Sequence, residues 1–222
     1  MPEELWQSVD HYITNLFALE DSALLDALAD SEASGLPPIN VAANQGRMLE
    51  LLATVSGARR ILEIGTLGGY STIWLARALG PGGVLVSLEL DERHASVARS
   101  NVARAGFADV VEVLVGPAST SLRQLVAERT APFDFIFIDA DKESYPDYFE
   151  QSLLLAHAGS LIVADNVVRG GEVVNEHATD ERVIAVRTFL ELAAAHPRVR
   201  GTAIQTVGVK GHDGFALLYV TA

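Results

Sequence analysis

Short apolar runs alternate along most of the chain with segments in which apolar residues recur every three or four positions. Continuous apolar runs are typical of strands that are covered on both faces. They lie at residues 61–64, 84–88, 110–115, 133–138 and 160–164. The helical spacing between them predicts helices at residues 70–79, 91–105, 122–129 and 148–157. Strands and helices that alternate in this way predict a parallel sheet with helices on both faces.

The first part of the chain departs from this alternation. Residues 3–33 have the apolar spacing of two helices, and residues 43–55 predict a third helix that leads into the first strand. The helices within residues 1–36 lie outside the alternating pattern. They could cap a site or pair with a second copy of the chain, and the sequence leaves both open.

The last part of the chain predicts the edge of the sheet. A helix at residues 181–195 precedes apolar runs at 202–207 and 214–220, with a Gly-His-Asp-Gly turn between the two runs. A turn this short predicts an antiparallel hairpin. We therefore expect one domain over residues 1–222. Its α/β, Rossmann-like fold would have a seven-stranded, mostly parallel sheet with an antiparallel C-terminal hairpin and helices on both faces.

The stretch at residues 60–70, Arg-Ile-Leu-Glu-Ile-Gly-Thr-Leu-Gly-Gly-Tyr, indicates a strand, a glycine turn and the start of a helix. Glycine lets a ligand approach the backbone, where a Cβ atom would be in the way. Glu63 ends the strand, and a carboxylate in that position repels a pyrophosphate but suits the ammonium and sulfonium groups of S-adenosylmethionine. Glu89 ends the next apolar run and is placed to accept hydrogen bonds from a ribose diol.

These two acids distinguish between two classes of enzyme. The dinucleotide pattern Gly-x-Gly-x-x-Gly is absent, which argues against an NAD-dependent oxidoreductase on a Rossmann scaffold. Glu63 and Glu89 flank one glycine turn, and this arrangement favours the methyl donor over NAD. The oxidoreductase remains the alternative from a different class of enzyme.

Acidic side chains also follow two later strands. Asp139 comes after the run at 133–138, and Asp165 and Asn166 come after the run at 160–164. Because ligands of open α/β sheets bind beyond the carboxyl ends of the strands, we expect these three side chains to converge on one crevice. Carboxylates packed there without a cation would repel one another. All-oxygen ligands select a hard divalent ion, so we predict a site for Mg²⁺, Ca²⁺ or Mn²⁺.

The composition of the chain limits its possible partners, its metal and redox chemistry and its location in the cell. A formal net charge of −13, without any run of basic residues, disfavours nucleic acid as a partner. The chain has no cysteine, which excludes disulfides, thiolate metal ligands and a cysteine nucleophile. No apolar stretch has the length of a membrane span, and the acidic first residues do not resemble a secretory signal. We therefore expect a cytoplasmic protein without membrane contact.

Three segments carry a resemblance to a known family. Ile-Leu-Glu-Ile-Gly-Thr at 61–66, Phe-Ile-Asp-Ala-Asp-Lys at 137–142 and Asp-Asn-Val-Val-Arg-Gly-Gly at 165–171 resemble segments of the cation-dependent O-methyltransferases. That family includes the caffeoyl-coenzyme A O-methyltransferases and, more distantly, catechol O-methyltransferase. The similarity extends in the same order over about residues 35–220.

The resemblance implies a role for each residue that matches the family's motifs. It implies contacts to S-adenosylmethionine from Val41, Glu63, Gly65, Thr66, Ser71, Glu89, Ala118 and Asp139. It implies that Asp139, Asp165 and Asn166 are the metal ligands. Lys142 falls where the family has a lysine near the substrate oxygens, and Lys142 with Asp139 would form the catalytic pair. Residues 143–145 are expected to shape the acceptor pocket.

The resemblance also implies a reaction. We expect an S-adenosylmethionine-dependent, divalent-cation-dependent O-methyltransferase that acts on a catechol, a small aromatic molecule with two vicinal hydroxyl groups. The family further implies a homodimer. Some bacterial relatives methylate a hydroxylated uridine in transfer RNA, and that acceptor is the alternative. The net charge weighs against it.

Overall fold

A computed structural model of the chain describes residues 2–222 and contains one seven-stranded sheet. The strands are β1 Arg60–Ile64, β2 Val84–Glu89, β3 Val111–Val115, β4 Phe133–Ile138, β5 Ala156–Asp165, β6 Val199–Gly208 and β7 Gly211–Val220. The helices are α1 Pro2–Phe17, α2 Ser22–Ala33, α3 Ala43–Val55, α4 Tyr70–Arg77, α5 Glu92–Arg104, α6 Ala118–Ala127, α7 Tyr145–Leu154 and α8 Glu181–Ala195. Among the described residues, none of the helices combines the length and the apolar character needed to cross a membrane.

The strand order β3-β2-β1-β4-β5-β7-β6 confirms the predicted sheet. The first five strands of the chain run parallel, and β7 pairs antiparallel with both β5 and β6. β2 and β3 lie on one side of β1, and β4 and β5 lie on its other side, so the order of the strands reverses between β1 and β4. Ligands of open α/β sheets bind beyond the carboxyl ends of the strands at such a reversal. The crevice beyond β1 and β4 is therefore the place to look for a site.

The C-terminal hairpin is confirmed, but its turn is not where the sequence predicts it. β6 and β7 stay paired as far as Gly208 and Gly211. The loop consists of Val209 and Lys210, and the predicted turn residues 211–214 belong to β7. Gly211 has a φ of 85°, which glycine adopts without a steric penalty after a tight turn. The first glycine of the Gly-His-Asp-Gly segment thus ends the turn.

Two helices begin earlier than the apolar spacing predicts, and a proline marks each start. α6 begins at Ala118, directly after Pro117, and α7 begins at Tyr145 with Pro146 in its first turn. The first N–H groups of a helix have no partner within the helix, so proline, which lacks this group, is well tolerated there. β5 also extends further towards the N-terminus than predicted, to Ala156.

Alternate strand residues point to opposite faces of the sheet and build two separate cores. Ile61 and Phe135 pack on one face with residues of α2, α3, α4 and α5. Leu62 and Ile136 pack on the other face with residues of α6, α7 and α8. This arrangement confirms the helices on both faces. Glu63 follows Leu62 and therefore points to the face that α4 covers.

The two N-terminal helices pack against the same sheet. α2 is joined to α4 by a hydrogen bond from the Tyr70 hydroxyl to Glu20, 2.6 Å, and by the Arg77–Asp21 ion pair, 2.6 Å. On α1, the Asp10 carboxylate accepts a hydrogen bond from the backbone N–H of Val209 in the hairpin loop, 2.8 Å. These contacts connect the start of α2 to α4, and α1 to the loop of the C-terminal hairpin.

Asp134 ties three strands together at the end of the sheet opposite the crevice. Its Oδ2 atom accepts hydrogen bonds from the backbone N–H groups of Arg59 and Arg60, both 2.8 Å, where β1 begins. Its Oδ1 atom lies 2.8 Å from Nε2 of His157, where β5 begins. Burial opposes these bonds, but together with the His157 interaction they hold the pKa of Asp134 below its ordinary value.

We expect Asp134→Ala to lower the free energy of unfolding by about 2 kcal/mol, because two backbone N–H groups lose a charged acceptor. Urea denaturation followed by circular dichroism would measure this loss. Asp109→Ala is the matched control, since Asp109 is exposed at the same end of the sheet and has no side-chain hydrogen bond among the described residues. Equal stabilities of the two variants would show that Asp134 does not connect the strands as proposed.

Candidate active site

Gly65 brings the ends of three strands close together. Its backbone N–H donates to the carbonyl of Leu88 at 3.0 Å, and the N–H of Asp139 donates to the carbonyl of Ile64 at 2.8 Å. Gly65 has a φ of 102°, and a Cβ atom there would overlap the carbonyl oxygen of Asp139. Only glycine lets β1 and β4 approach one another in this way.

The other two glycines of the turn are also explained by the protein's own packing. A Cβ atom on Gly68 would overlap the Ser31 hydroxyl of α2, and one on Gly69, whose φ is 84°, would press on Ala98 of α5. The sequence attributed the glycines to the approach of a ligand. The structure adds a second reason, because atoms of the neighbouring strand and helices already crowd a Cβ atom at these positions. The approach of a ligand stays a prediction.

Glu63 is fully buried, and hydroxyl groups surround its carboxylate. Oε1 accepts a hydrogen bond from Ser71 at 2.6 Å, and Oε2 accepts from Thr72 at 2.5 Å and from Ser87 at 2.6 Å. Burial raises the pKa of Glu63 to about 7, although the three hydroxyls oppose the rise. In this structure Glu63 therefore fixes the first turn of α4 to β1. Its contact with a cofactor stays a prediction.

Glu89 holds the glycine turn from the neighbouring strand. Its Oε2 atom accepts hydrogen bonds from the backbone N–H groups of Thr66 at 3.3 Å and Leu67 at 2.7 Å. Its Oε1 atom accepts from the N–H of Asp91 at 3.0 Å, and His94 lies 3.4 Å away. The Glu89 side chain keeps a small exposed fraction, 9%. These contacts fix the orientation of its carboxylate beside the turn.

Asp139 and Asp165 lie side by side. The register pairs Ile138 of β4 with Ala164 of β5, so the two aspartates are the next residues along adjacent parallel strands. Asp165 is 5% exposed. Burial and the charge of Asp139 raise the pKa of Asp165 to about 7. Asn166 follows with a φ of 58° and donates its N–H to Oδ1 of Asp165 at 2.8 Å.

These residues fit a divalent cation by the chemistry of their donor set. Asp139, Asp165 and Asn166 offer carboxylate and amide oxygens, which hard cations prefer. A cation nearby would remove the repulsion that raises the pKa of Asp165. Among residues 2–222 there is no group of three or more His, Cys, Asp or Glu side chains that could hold a metal. The predicted donor set contains two carboxylates and the Asn166 amide, and its binding of a metal stays a prediction.

Lys142 reaches the same edge from the turn after β4. Its ammonium lies 2.8 Å from Oδ1 of Asp139 and donates to the Tyr145 hydroxyl at 2.7 Å. Only 9% of its side chain is exposed. A lysine on the surface would extend into water, whereas Lys142 is held between an acidic side chain and a buried phenol.

Tyr145 does not shape an open pocket, contrary to the expectation for residues 143–145. It is fully buried and packs edge-on against Phe189 of α8, with ring centroids 5.7 Å apart. Burial, with the charges of Asp139 and Asp165, raises the pKa of Tyr145 well above its ordinary value. Because α7 starts at Tyr145, the ring points from the first helical turn into the core.

The two remaining predicted cofactor residues lie on either side of the sheet. Val41 is 4% exposed in the core beneath α3, and its carbonyl accepts a hydrogen bond from the side chain of Asn40 at 3.0 Å. Ala118 begins α6 and is partly buried against the other core. Neither position contradicts the predicted contacts, which stay predictions.

Several residues at this edge escaped the sequence analysis. Ser87 and Thr72 complete the hydroxyl set around Glu63, and the Gln45 side chain of α3 lies near Asp165 and lowers the pKa of its carboxyl, against the larger effect of burial. One signal was available, because Ser87 is the only polar residue within the apolar run at 84–88. A hydroxyl in a strand covered on both faces needs a partner. Nothing in the local sequence marks Gln45.

A family model described as O-methyltransferase matches residues 17–218, which is most of the chain. The chain belongs to the O-methyltransferase family. A catechol O-methyltransferase of Niastella koreensis is 49% identical over 220 residues, covering 99% of this chain and 100% of the relative. A catechol O-methyltransferase of Mycobacterium tuberculosis is 51% identical over 212 residues, covering 96% of this chain and 94% of the relative.

Solved structures agree with this family. An O-methyltransferase from Bacillus cereus, solved in complex with S-adenosylhomocysteine (SAH), superposes with a TM-score of 0.97 at 52% sequence identity. The superposition covers 98% of this O-methyltransferase and 99% of the Bacillus chain. The likeness confirms the predicted fold and the resemblance read from the three sequence segments.

We expect Gly65→Ala to destabilise the protein by at least about 3 kcal/mol, because the new Cβ atom pushes β1 away from Asp139 in addition to straining the backbone. Gly57→Ala is the matched control. Gly57 also has a positive φ, 66°, but open space around it, so its substitution should cost only about 1 kcal/mol. Urea denaturation compares the two, and similar losses would contradict the close approach.

Proposed function

We propose that this O-methyltransferase uses S-adenosylmethionine and a divalent cation to methylate one hydroxyl of a catechol-type small molecule. The observation that carries the proposal is the pair Asp139 and Asp165, side by side in register at the carboxyl edge of the sheet. The names of two relatives at about half identity over nearly the whole chain support the catechol acceptor. The Bacillus complex with SAH supports the methyl donor.

The methyl donor is proposed to lie over the glycine turn. The residues assigned to it are Val41, Glu63, Gly65, Thr66, Ser71, Glu89, Ala118 and Asp139. Glu89 is the strongest of these assignments, because its carboxylate is fixed by three backbone N–H groups and still partly exposed. A carboxylate so fixed accepts hydrogen bonds from a ribose diol without losing further side-chain entropy.

Asp139, Asp165 and Asn166 are proposed to hold the cation, with Mg²⁺ the first candidate and Ca²⁺ or Mn²⁺ the others. When bound, such an ion orientates the two hydroxyls of a catechol and favours loss of a proton from one of them. The chain supplies a rigid frame for these ligands, because both aspartates are anchored at the ends of buried strands. Asn166 follows Asp165 directly and has a left-handed backbone, φ 58°.

Lys142 and Asp139 are proposed as the catalytic residues. Lys142 accepts the proton of the reacting hydroxyl or favours its loss through its charge. Asp139 orientates the lysine through the 2.8 Å contact. The acceptor oxygen then attacks the methyl group of the sulfonium, the carbon–sulfur bond breaks, and its electron pair stays on sulfur as SAH leaves. The reaction neutralises opposite charges in a site that excludes water.

Two alternative functions have less support than methylation of a catechol. A hydroxylated uridine of transfer RNA would be methylated by the same chemistry, but the net charge of −13 opposes binding to a phosphate backbone. An oxidoreductase that uses NAD is not compatible with the O-methyltransferase family to which the chain belongs. The small catechol therefore remains the proposed acceptor.

A homodimer is proposed as the working form. α1 and the residue pair that follows it expose a set of large apolar side chains to solvent: Leu5, Val9, Tyr12, Leu16, Phe17 and Leu19. Contiguous apolar side chains of this kind are typical of surfaces that another protein covers. The N-terminal helices would then serve for pairing as well as for covering the glycine turn.

Removal of divalent cations with EDTA is expected to abolish methyl transfer from labelled S-adenosylmethionine to catechol, and Mg²⁺ should restore it. Asp165→Asn should weaken Mg²⁺ binding, measured by calorimetry, by about 100-fold or more, since even outer residues of metal sites contribute 10- to 100-fold. Asp141→Asn is the control from the loop that follows β4, because its carboxylate accepts a hydrogen bond from the Tyr148 hydroxyl. Full activity in EDTA would refute the cation's role.

Glu89→Gln is expected to raise the dissociation constant for SAH by about 10- to 100-fold, because a charged acceptor for the ribose is lost. Mg²⁺ binding should stay unchanged in this variant, whereas Asp165→Asn should keep its SAH affinity. Thermal shifts with each ligand measure both constants. Glu92→Gln is the control, since Glu92 lies at the start of α5 and is paired with Arg99 on the surface. An unaffected SAH affinity in Glu89→Gln would remove Glu89 from the cofactor site.

A further inference from the structure

The hydroxyl of Tyr145 occupies a position that core packing does not require. It lies where β4 and β5 end, 2.9 Å from the carbonyl oxygen of Asp165 and 3.2 Å from that of Ile138. The same oxygen lies 2.7 Å from Nζ of Lys142. One buried phenol thus contacts both strand ends that carry the aspartates and the lysine between them.

The chemistry of a phenol fixes the direction of these hydrogen bonds. A tyrosine hydroxyl has a single hydrogen, and a carbonyl oxygen can only accept. The hydrogen of Tyr145 is therefore directed to the carbonyls of Asp165 and Ile138. Towards Lys142 the hydroxyl can only accept, so one N–H of Lys142 must point at Tyr145.

A second N–H of Lys142 is fixed in the same way. The ionised carboxylate of Asp139 is an acceptor only, and its Oδ1 atom lies 2.8 Å from Nζ. The lysine nitrogen has four tetrahedral positions. The side-chain carbon takes one, and Tyr145 and Asp139 take two as N–H donors. A single position is left, whether it carries a third hydrogen or a lone pair.

We propose that Tyr145 is a positioning residue that aims this last position of the Lys142 nitrogen at the acceptor hydroxyl. The inference rests on the proposed function, in which Lys142 deals with the acceptor proton. Without the phenol oxygen, Lys142 would keep one anchor, Asp139, and could rotate about that contact. With it, the nitrogen is tied to both strands that carry the proposed metal ligands.

The packing around the Tyr145 ring fixes the position of its hydroxyl group. Its ring packs edge-on against Phe189 and lies 6.4 Å from the ring of Tyr148, so two aromatic neighbours hold it in the core. Replacement by phenylalanine keeps the ring and removes only the oxygen. Tyr148 is the matched control, because it lies on the same helix, is buried in the same core, and donates its hydroxyl hydrogen to Asp141 without contacting the Lys142 amine.

The first test uses the protein without cofactor or metal. The chain has two lysines, Lys142 and Lys210, so peptide mass spectrometry after brief treatment with acetic anhydride compares one buried and one exposed amine directly. We expect Tyr145→Phe to raise the ratio of Lys142 to Lys210 acetylation by about 3- to 10-fold, since one hydrogen bond of the amine is lost. Tyr148→Phe should leave the ratio unchanged. An unchanged ratio in Tyr145→Phe would overturn the proposal.

The second test separates positioning from general stability. With catechol, S-adenosylmethionine and Mg²⁺, Tyr145→Phe should lower kcat by about 10-fold while the KM for the methyl donor stays within about twofold. In a Lys142→Met background the same substitution should have little further effect on kcat. A tyrosine that served only the core would lower kcat by the same factor in both backgrounds, which would refute the positioning role.

The two tests also distinguish this inference from the proposed function. If the wild-type chain transfers no methyl group to any catechol, the proposed function fails, but the acetylation ratio still reports whether Tyr145 holds Lys142. If catechol is methylated and the ratio does not change, the function stands and the positioning role is wrong.

Discussion

The burial of several carboxylates at one edge of the sheet is the constraint on which the rest of the structure depends. A charge in the interior costs several kcal/mol unless donors or a counter-ion compensate it. Three hydroxyls compensate Glu63, and three backbone N–H groups compensate Glu89. Asp165 accepts one backbone N–H and faces the charge of Asp139, which the Lys142 ammonium partly offsets. Asp165 is therefore less well compensated than the two glutamates.

The glycine turn follows from this constraint. Gly65 lets β1 lie close enough to β4 for the Asp139 backbone to bond to Ile64. Gly68 and Gly69 let α2 and α5 cover the outside of the turn. Glu89 holds the N–H groups of Thr66 and Leu67 in place. The glycines of the turn thus serve the packing of the neighbouring strand and helices around it.

The fold was largely predictable because it depends on short-range patterns. Apolar runs and helical spacing are local, and the family resemblance covers most of the chain, so the seven-stranded, mostly parallel sheet and the antiparallel hairpin were predicted correctly. The helix and turn boundaries that were predicted wrongly lie at residues that are compatible with two different structural positions. Pro146 can end a helix or occupy its first turn, and a glycine in Gly-His-Asp-Gly can open or close a turn.

The acids of the site were predictable because the carboxyl ends of parallel strands must meet, so residues such as Asp139 and Asp165 are brought together whatever else the chain does. Their partners were not. Gln45 comes from a helix far earlier in the chain, and Tyr145 reaches the site only because α7 starts at that residue. The residues at the strand ends predict whether a site is acidic or basic. The side chains that hold those residues in place come from helices, and their positions depend on how the helices pack. For this reason the sequence marked Lys142 as a candidate but assigned Tyr145 to the acceptor pocket, whereas its hydroxyl contacts the Lys142 amine.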